Sequence, residues 1–324
     1  MLALLFFSNA HAYDFMDRSR GVKLYYNILS EQDRTVEVTR GEDWEPYEGN
    51  YTIPRSVHHK GKRYRVVAIG KRAFAGCDEV RNVTFNSNIT RIDSAAFCRC
   101  NALTRLRLPE RLKYIGDYAF AYCGFPYVNI PAAVNHIGKG AFSYCQYVVD
   151  ILVDDKNPKY TDYNGSSCIV DQNTMTLVQG CAGTIVPDRI RLIADEAFAG
   201  CVDLLEIKLP KSVVEIGNDV FRESGLTSFV FPEGVTDVSE RLFYNCGDLQ
   251  EITFPPTLIS LGTKAFYGCK ALKTITVKSH DPLPINSDAF PSDVYGKATL
   301  VVPIGADDLY KIAPGWKQFR KVIY

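Results

Sequence analysis

Ten cysteines and five histidines are the residues of this chain with the widest chemical reach, as nucleophiles, metal ligands or disulfide partners. The histidines (His11, His58, His59, His136 and His280) are scattered, and none stands at ligand spacing from a cysteine or carboxylate. A zinc site needs such donors converging on one point. No HExxH, GxSxG, phosphate-loop glycine pattern or EF-hand loop occurs. Asp154-Asp155-Lys156-Asn157 and Asp162-Tyr163-Asn164-Gly165 lack the regular oxygen spacing of a calcium loop and read as solvated turns. The residue pattern points away from an enzyme, and it asks for no metal and no cofactor.

The cysteines lead from chemistry to architecture. Cys77, Cys100, Cys123, Cys145, Cys201, Cys246 and Cys269 each lie three residues after a phenylalanine, with Ser224 as the one substitute in the regular run. Disulfides or a metal site are one reading, and an oxidising compartment would favour the first. A position that recurs at fixed spacing is otherwise a packing position, where free cysteine serves as a small hydrophobe. Neighbouring units of a stack bring such residues near, but with parallel Cβ vectors that do not suit a bridge. The ladder cysteines are therefore expected as thiols. Cys98, Cys168 and Cys181 lie off the ladder and are the candidates for bridging.

The phenylalanines follow alanine in Ala73-Phe74, Ala96-Phe97, Ala119-Phe120, Ala141-Phe142, Ala197-Phe198, Ala265-Phe266 and Ala289-Phe290, while Phe221 and Phe243 keep the register without it. Their spacing is 22 to 24 residues except for one gap of 56 between Phe142 and Phe198. Five residues before each ring sits an aliphatic, such as Ile69, Ile92, Ile115 or Ile193. After each cysteine comes a run alternating apolar and polar residues, as in Leu106-Arg107-Leu108-Pro109 and Ile252-Thr253-Phe254-Pro255. Alternation marks a half-buried strand, and the proline ends it for want of an N–H. The Ala-Phe segment, of helical or turn character, supplies the opposite wall. Each unit has an apolar face it cannot bury alone, so stacking is required. Two units are one residue short, at Cys123-Gly124-Phe125 and Ser224-Gly225-Leu226.

This unit resembles the BspA-like, or treponemal-type, leucine-rich repeat, which reads I-G-x-x-A-F-x-x-C-x-x-L-x-x-I-x-L-P. Ile115-Gly116…Ala119-Phe120…Cys123 and Ile69-Gly70…Ala73-Phe74…Cys77 carry the likeness. The resemblance implies a β-rich α/β solenoid, a right-handed superhelix with one parallel sheet and a cap at each end. It also implies surface recognition or adhesion, since some members bind host matrix proteins. The expected layout is a signal peptide over 1–12, then an N-terminal β-hairpin cap with a degenerate first repeat over 13–65. Repeats follow over 66–281, with a hairpin insertion at 154–187, and a last partial repeat with C-terminal cap fills 282–324. Leu2 to Phe7 followed by Ala10-His11-Ala12 suggests the export signal. The expected location is exported, at the cell surface, extracellular or periplasmic. No later stretch approaches the ~20 apolar residues of a membrane span.

Lysine plus arginine equal aspartate plus glutamate at 37 each, so the chain as a whole lacks the basic excess of a nucleic-acid binder. The 46% hydrophobic content supports a folded core. If the apolar strand positions face inward, the alternate ones form an exposed row: Arg105 and Arg107, Tyr127 and Asn129, and their equivalents in other units. Arg105, Arg107, Tyr127 and Asn129 are the candidate binding patch, because arginine and tyrosine are frequent interface anchors. The expected partner is a protein, with host extracellular matrix in view. A surface glycan bound by an accessory protein is the alternative.

Overall fold

The computed structural model describes residues 13–18, 22–41, 46–285 and 288–324. The export signal expected over 1–12 lies outside the described residues. The rest is a β-rich solenoid of stacked turns, with helix confined to short pieces near the C-terminus. The pairing, mostly parallel, runs in two rows along the stack. In the first row, Ile69, Ile92, Ile115 and Ile137 are successive register partners on strands as short as Arg91–Ile92. The second row holds the alternating runs, as in Tyr127–Ile130 beside Asp150–Val153. Both rows pair because the aliphatic before the Ala-Phe turn is as deeply buried as the strand that follows it.

The wall carrying the phenylalanines is turn, with no helix in it. Two residues before and two after the ring, the backbone is left-handed in unit after unit: Tyr118 (φ 55°) and Tyr122 (φ 60°) flank Phe120. Arg72 and Gly76, Glu196 and Gly200, and Arg241 and Asn245 repeat the pair. A non-glycine residue there costs roughly 1–2 kcal/mol. Hydrogen bonds between turns offset it. Tyr118, Phe120 and Tyr122 donate their N–H groups to the carbonyls of Lys139, Ala141 and Ser143 in the next turn. The intervening amides close back three residues, as in Ala121 N to Tyr118 O. Alternating hand is what lets one segment bond both to itself and to its neighbour.

Inside, Phe74, Phe97, Phe120 and Phe142 stack at centroid spacings of 4.9, 5.3 and 5.5 Å. A second stack runs Phe198, Phe221, Phe243, Phe266 and Phe290. Between them Gly180 replaces the aromatic, and a Cβ there would lie 2.1 Å from the Phe198 ring. The apolar core accordingly falls into two clusters that meet at the strand Cys168–Asp171. Cys168 and Val170 pack into the C-terminal cluster and Ile169 into the N-terminal one, so this strand is a septum buried on both faces. It pairs antiparallel with Thr176–Gly180. The outer wall continues across: Tyr144 N–H reaches the Ala199 carbonyl at 2.8 Å, and Lys139 pairs with Asp195 at 3.1 Å.

At the N-terminal end, Leu24–Ser30 and Thr35–Thr39 pair antiparallel. Ser56–His59 and Lys62–Ile69 form a tight hairpin turning at Lys60 and Gly61, both of positive φ. Tyr47 lays its ring 4.5 Å from Phe74, and Arg40 donates to the Ala75 carbonyl, so the first stacked turn meets partners and not water. At the other end, buried Trp316 donates its indole N–H to the Leu283 carbonyl at 2.6 Å.

Candidate functional site

The four candidate residues sit in two different settings. Tyr127 and Asn129 lie on the strand Tyr127–Ile130, opposite Asp150 and Leu152. Val128 and Ile130 between and after them are buried, which turns both candidates outward, with Tyr127 57% exposed. Arg105 and Arg107 are exposed on either side of Leu106, which packs on the core. Their segment forms no strand, and residues 104–108 make no backbone hydrogen bond to either neighbouring turn. The expectation that all four lie on adjacent paired strands is corrected on this point.

A one-residue deletion stands in the following unit, after Cys123. Gly124 is drawn so close under the preceding turn that a Cβ would stand 2.3 Å from the Asn101 carbonyl oxygen. Tyr127–Ile130 is seated against Asp150–Val153, and 104–108 has no ladder. The second short unit repeats the pattern: a Cβ on Gly225 would meet the Val202 carbonyl oxygen at 1.9 Å, and residues 206–209 form no strand.

A groove of about 510 Å³ opens between residues 82–87 and 105–111, with Asn82, Thr84, Arg105 and Arg107 on its walls and Phe85 and Leu108 in its lining. On the other side Arg107 shares a second groove with Asn129, Leu152 and Asp154. The structure thus brings Arg105 to Arg107 and Arg107 to Asn129, while Tyr127 lines neither groove.

The thiols are built for packing. Cys100, Cys123, Cys145, Cys246 and Cys269 each donate from Sγ to the carbonyl of the phenylalanine one turn earlier, at 2.9–3.2 Å. All ten cysteines are free. Burial pushes Cys246 up to about 11 and Cys145 and Cys168 up to about 12. A reactive cysteine needs the opposite shift. Among the described residues no three histidine, cysteine or acidic side chains converge as a metal site. Nor, among them, is any helix long and apolar enough to cross a membrane.

One surface feature escaped sequence reasoning. Tyr122 and Tyr144 stack with centroids 4.4 Å apart and planes 3° from parallel, with the Arg99 guanidinium 5.4 Å over Tyr122. Together with Tyr147, 58% exposed, they line a shallow groove. The available signal was a tyrosine at the second position after the ring in two successive units.

A family model described as the BspA type leucine-rich repeat region matches residues 66–176 and 181–294 in six copies. The chain belongs to the BspA-type leucine-rich repeat family. The pause in the match falls on 177–180, where Gly180 breaks the aromatic stack. Among solved structures, the chain is similar to a leucine-rich repeat protein from Eubacterium ventriosum, with TM-score 0.59, 17% identity, and coverage of 90% of this chain and 83% of that one. A leucine-rich repeat protein from Bacteroides ovatus has TM-score 0.56 and 22% identity over 92% of this chain and 81% of that one. The pneumococcal vaccine antigen PcpA has TM-score 0.51 and 15% identity over 96% and 98%. These likenesses carry the fold. No curated relative matches the chain. A BspA-type repeat is a scaffold suited to protein–protein or surface interaction, and no positive sign of catalysis accompanies it here.

Proposed function

We propose that this BspA-type chain is an exported, non-enzymatic recognition protein that binds a protein partner through the exposed face of its second row of strands. The observation that carries the reading is the row itself. Arg105, Arg107, Tyr127 and Asn129 stand exposed over a buried core, beside two open grooves that a partner's side chains can enter. Pairing of Tyr127–Ile130 with Asp150–Val153 holds the backbone under Tyr127 and Asn129 in place, which lowers the ordering cost at binding. Adhesion at the cell surface, to host matrix, is the setting in which such a face works.

Purified chain is screened by surface plasmon resonance against matrix proteins. The triple variant Arg105→Glu/Arg107→Glu/Tyr127→Ala is expected to lose at least tenfold in affinity with a nearly unchanged Tm. Full affinity in that variant would remove the strand face from consideration. A second reading, a surface glycan-binding accessory, is favoured by the groove that Tyr122, Tyr144 and Tyr147 line, where the exposed Tyr147 ring offers a platform for a sugar. A glycan that binds wild type and not Tyr122→Ala/Tyr147→Ala decides for it.

A further inference from the structure

The N-terminal cap meets the first turns of the solenoid along a groove of about 750 Å³. Five arginines line it: Arg34, Arg55, Arg63, Arg65 and Arg111, all exposed. They come from separate parts of the chain. Arg34 immediately precedes Thr35–Thr39, and its carbonyl accepts the Arg65 N–H at 2.8 Å. Arg65 is also the register partner of Ser56, next to Arg55, while Arg63 lies two residues before it on the same strand. Arg111 enters from the turn after Pro109. Two carboxylates, Asp33 and Glu110, complete the charge of the lining, and among the described residues neither is ion-paired with any of the five. The arginine contacts that are present go to neutral hydroxyls: Arg63 Nε to Ser56 Oγ at 2.9 Å and Arg55 Nη2 to Ser87 Oγ at 2.7 Å.

Like charges held close together repel, and Arg63 and Arg65 stand on one face of one strand with Arg34 and Arg55 beside it. Five arginines against two carboxylates leave the groove with a local positive excess that an anionic ligand would neutralise. We infer that this groove is a binding site for a sulfated polysaccharide. Guanidinium forks match sulfate and carboxylate oxygens two by two, and hydroxyl-oriented forks are already aimed. Arg63 and Arg65, on one face of a strand, stand roughly 7 Å apart, which suits charges spaced along an extended polymer. No apolar or aromatic side chain belongs to the lining. A protein partner would want an apolar anchor, and a single-stranded nucleic acid would want rings to stack on.

The groove adjoins the one that Arg105 and Arg107 line, sharing Ser87, Glu110 and Arg111 with it, and the test leaves Arg105, Arg107 and Tyr127 untouched. The full chain is titrated by calorimetry with a heparin decasaccharide at 0.15 M NaCl, with desulfated heparin, a poly-glutamate peptide and an oligothymidylate of equal charge as further probes. Wild type is expected to prefer the sulfated sugar, with affinity falling as salt rises. Arg34→Gln/Arg63→Gln/Arg65→Gln is expected to bind at least tenfold more weakly with an equal or higher Tm, because crowding is relieved. Arg34→Lys/Arg63→Lys/Arg65→Lys keeps the charge and loses the forks, and an affinity drop of several-fold is expected. It also decides the matter if the glutamine variant does not fold. The inference is overturned if wild type ignores heparin, if the lysine and glutamine variants both bind as wild type does, or if desulfated heparin, the peptide or the oligonucleotide binds more tightly.

Discussion

The C-terminal and central parts of the solenoid use one repeat to different ends. From Ser228 to Ile323 the second row is a continuous parallel ladder of five strands, Ser228–Val230, Glu251–Phe254, Thr274–Val277, Thr299–Val301 and Lys321–Ile323. Between residues 104 and 187 the same row breaks beside Gly124, and a septum strand divides the core. The difference teaches that the stack tolerates a change of one residue on its outer row as long as the phenylalanine wall stays in phase. Continuity of the wall, through Tyr144 to Ala199, carries the chain past both irregularities.

The largest test of this contrast removes one ring from each stack. Phe120→Ala and Phe243→Ala are each expected to cost about 3–5 kcal/mol in urea unfolding. Because the septum packs into both cores, one shared transition should move in both variants. Two resolved transitions, each answering to only one substitution, would make the halves separate folding units. The septum contact comes next. Gly180→Ala drives a methyl into the Phe198 ring and is expected to cost about 1–3 kcal/mol, the range of overpacking. A neutral result would mean the junction is loose.

The buried thiols provide a pH handle shared by both halves. Their folded pKa values, about 11 for Cys246 and about 12 for Cys145, lie above the ordinary thiol value near 8.5. The folded state holds the proton that the unfolded chain has released, so stability is complete below pH ~8.5 and falls as pH rises through the folded values. Each such thiol takes away about 1.4 kcal/mol per pH unit in that window. Thermal melts from pH 8 to 11 should show the fall, and Cys145→Ala should make it shallower by that one thiol's share, about 1.4 kcal/mol per pH unit. A level profile would contradict the burial of these groups. The smallest effect is local: amides of 104–108 should exchange with deuterium faster than those of Glu251–Phe254, since only the latter sit in a ladder. Equal protection would close the open segment.

Much of the fold was legible because a packing position must recur. The phenylalanine and the aliphatic five residues before it lie in the core in every unit, as do six of the seven ladder cysteines with Cys201 half-buried, and hydrophobicity at fixed spacing announces that directly. The pairing of the aliphatic row was not legible, because strands of two residues leave no alternation to see. The left-handed residues were hidden as well. Arg72, Tyr118, Glu196 and Arg241 are not residues that seek positive φ, and inter-turn hydrogen bonds place them there. The break at 104–108 did have a companion in the missing residue after Cys123, but which neighbour the shortened turn would follow was not written there.

The amino-acid sequence by itself determined that the chain stacks, what fills each turn and where the phase slips by one residue. Burial of an apolar face is a local demand that each unit states in its own residues. The tertiary structure alone decided which distant groups become neighbours. Arg34, the hairpin arginines Arg55, Arg63 and Arg65, and Arg111 come from three parts of the chain, and only the folding of the cap hairpins against the first turns lines them up in one groove. Tyr122 and Tyr144 likewise became a stacked pair because successive turns place equivalent positions one above the other. Surface juxtaposition follows from register between elements, and register is a property of the assembled stack that no single turn contains.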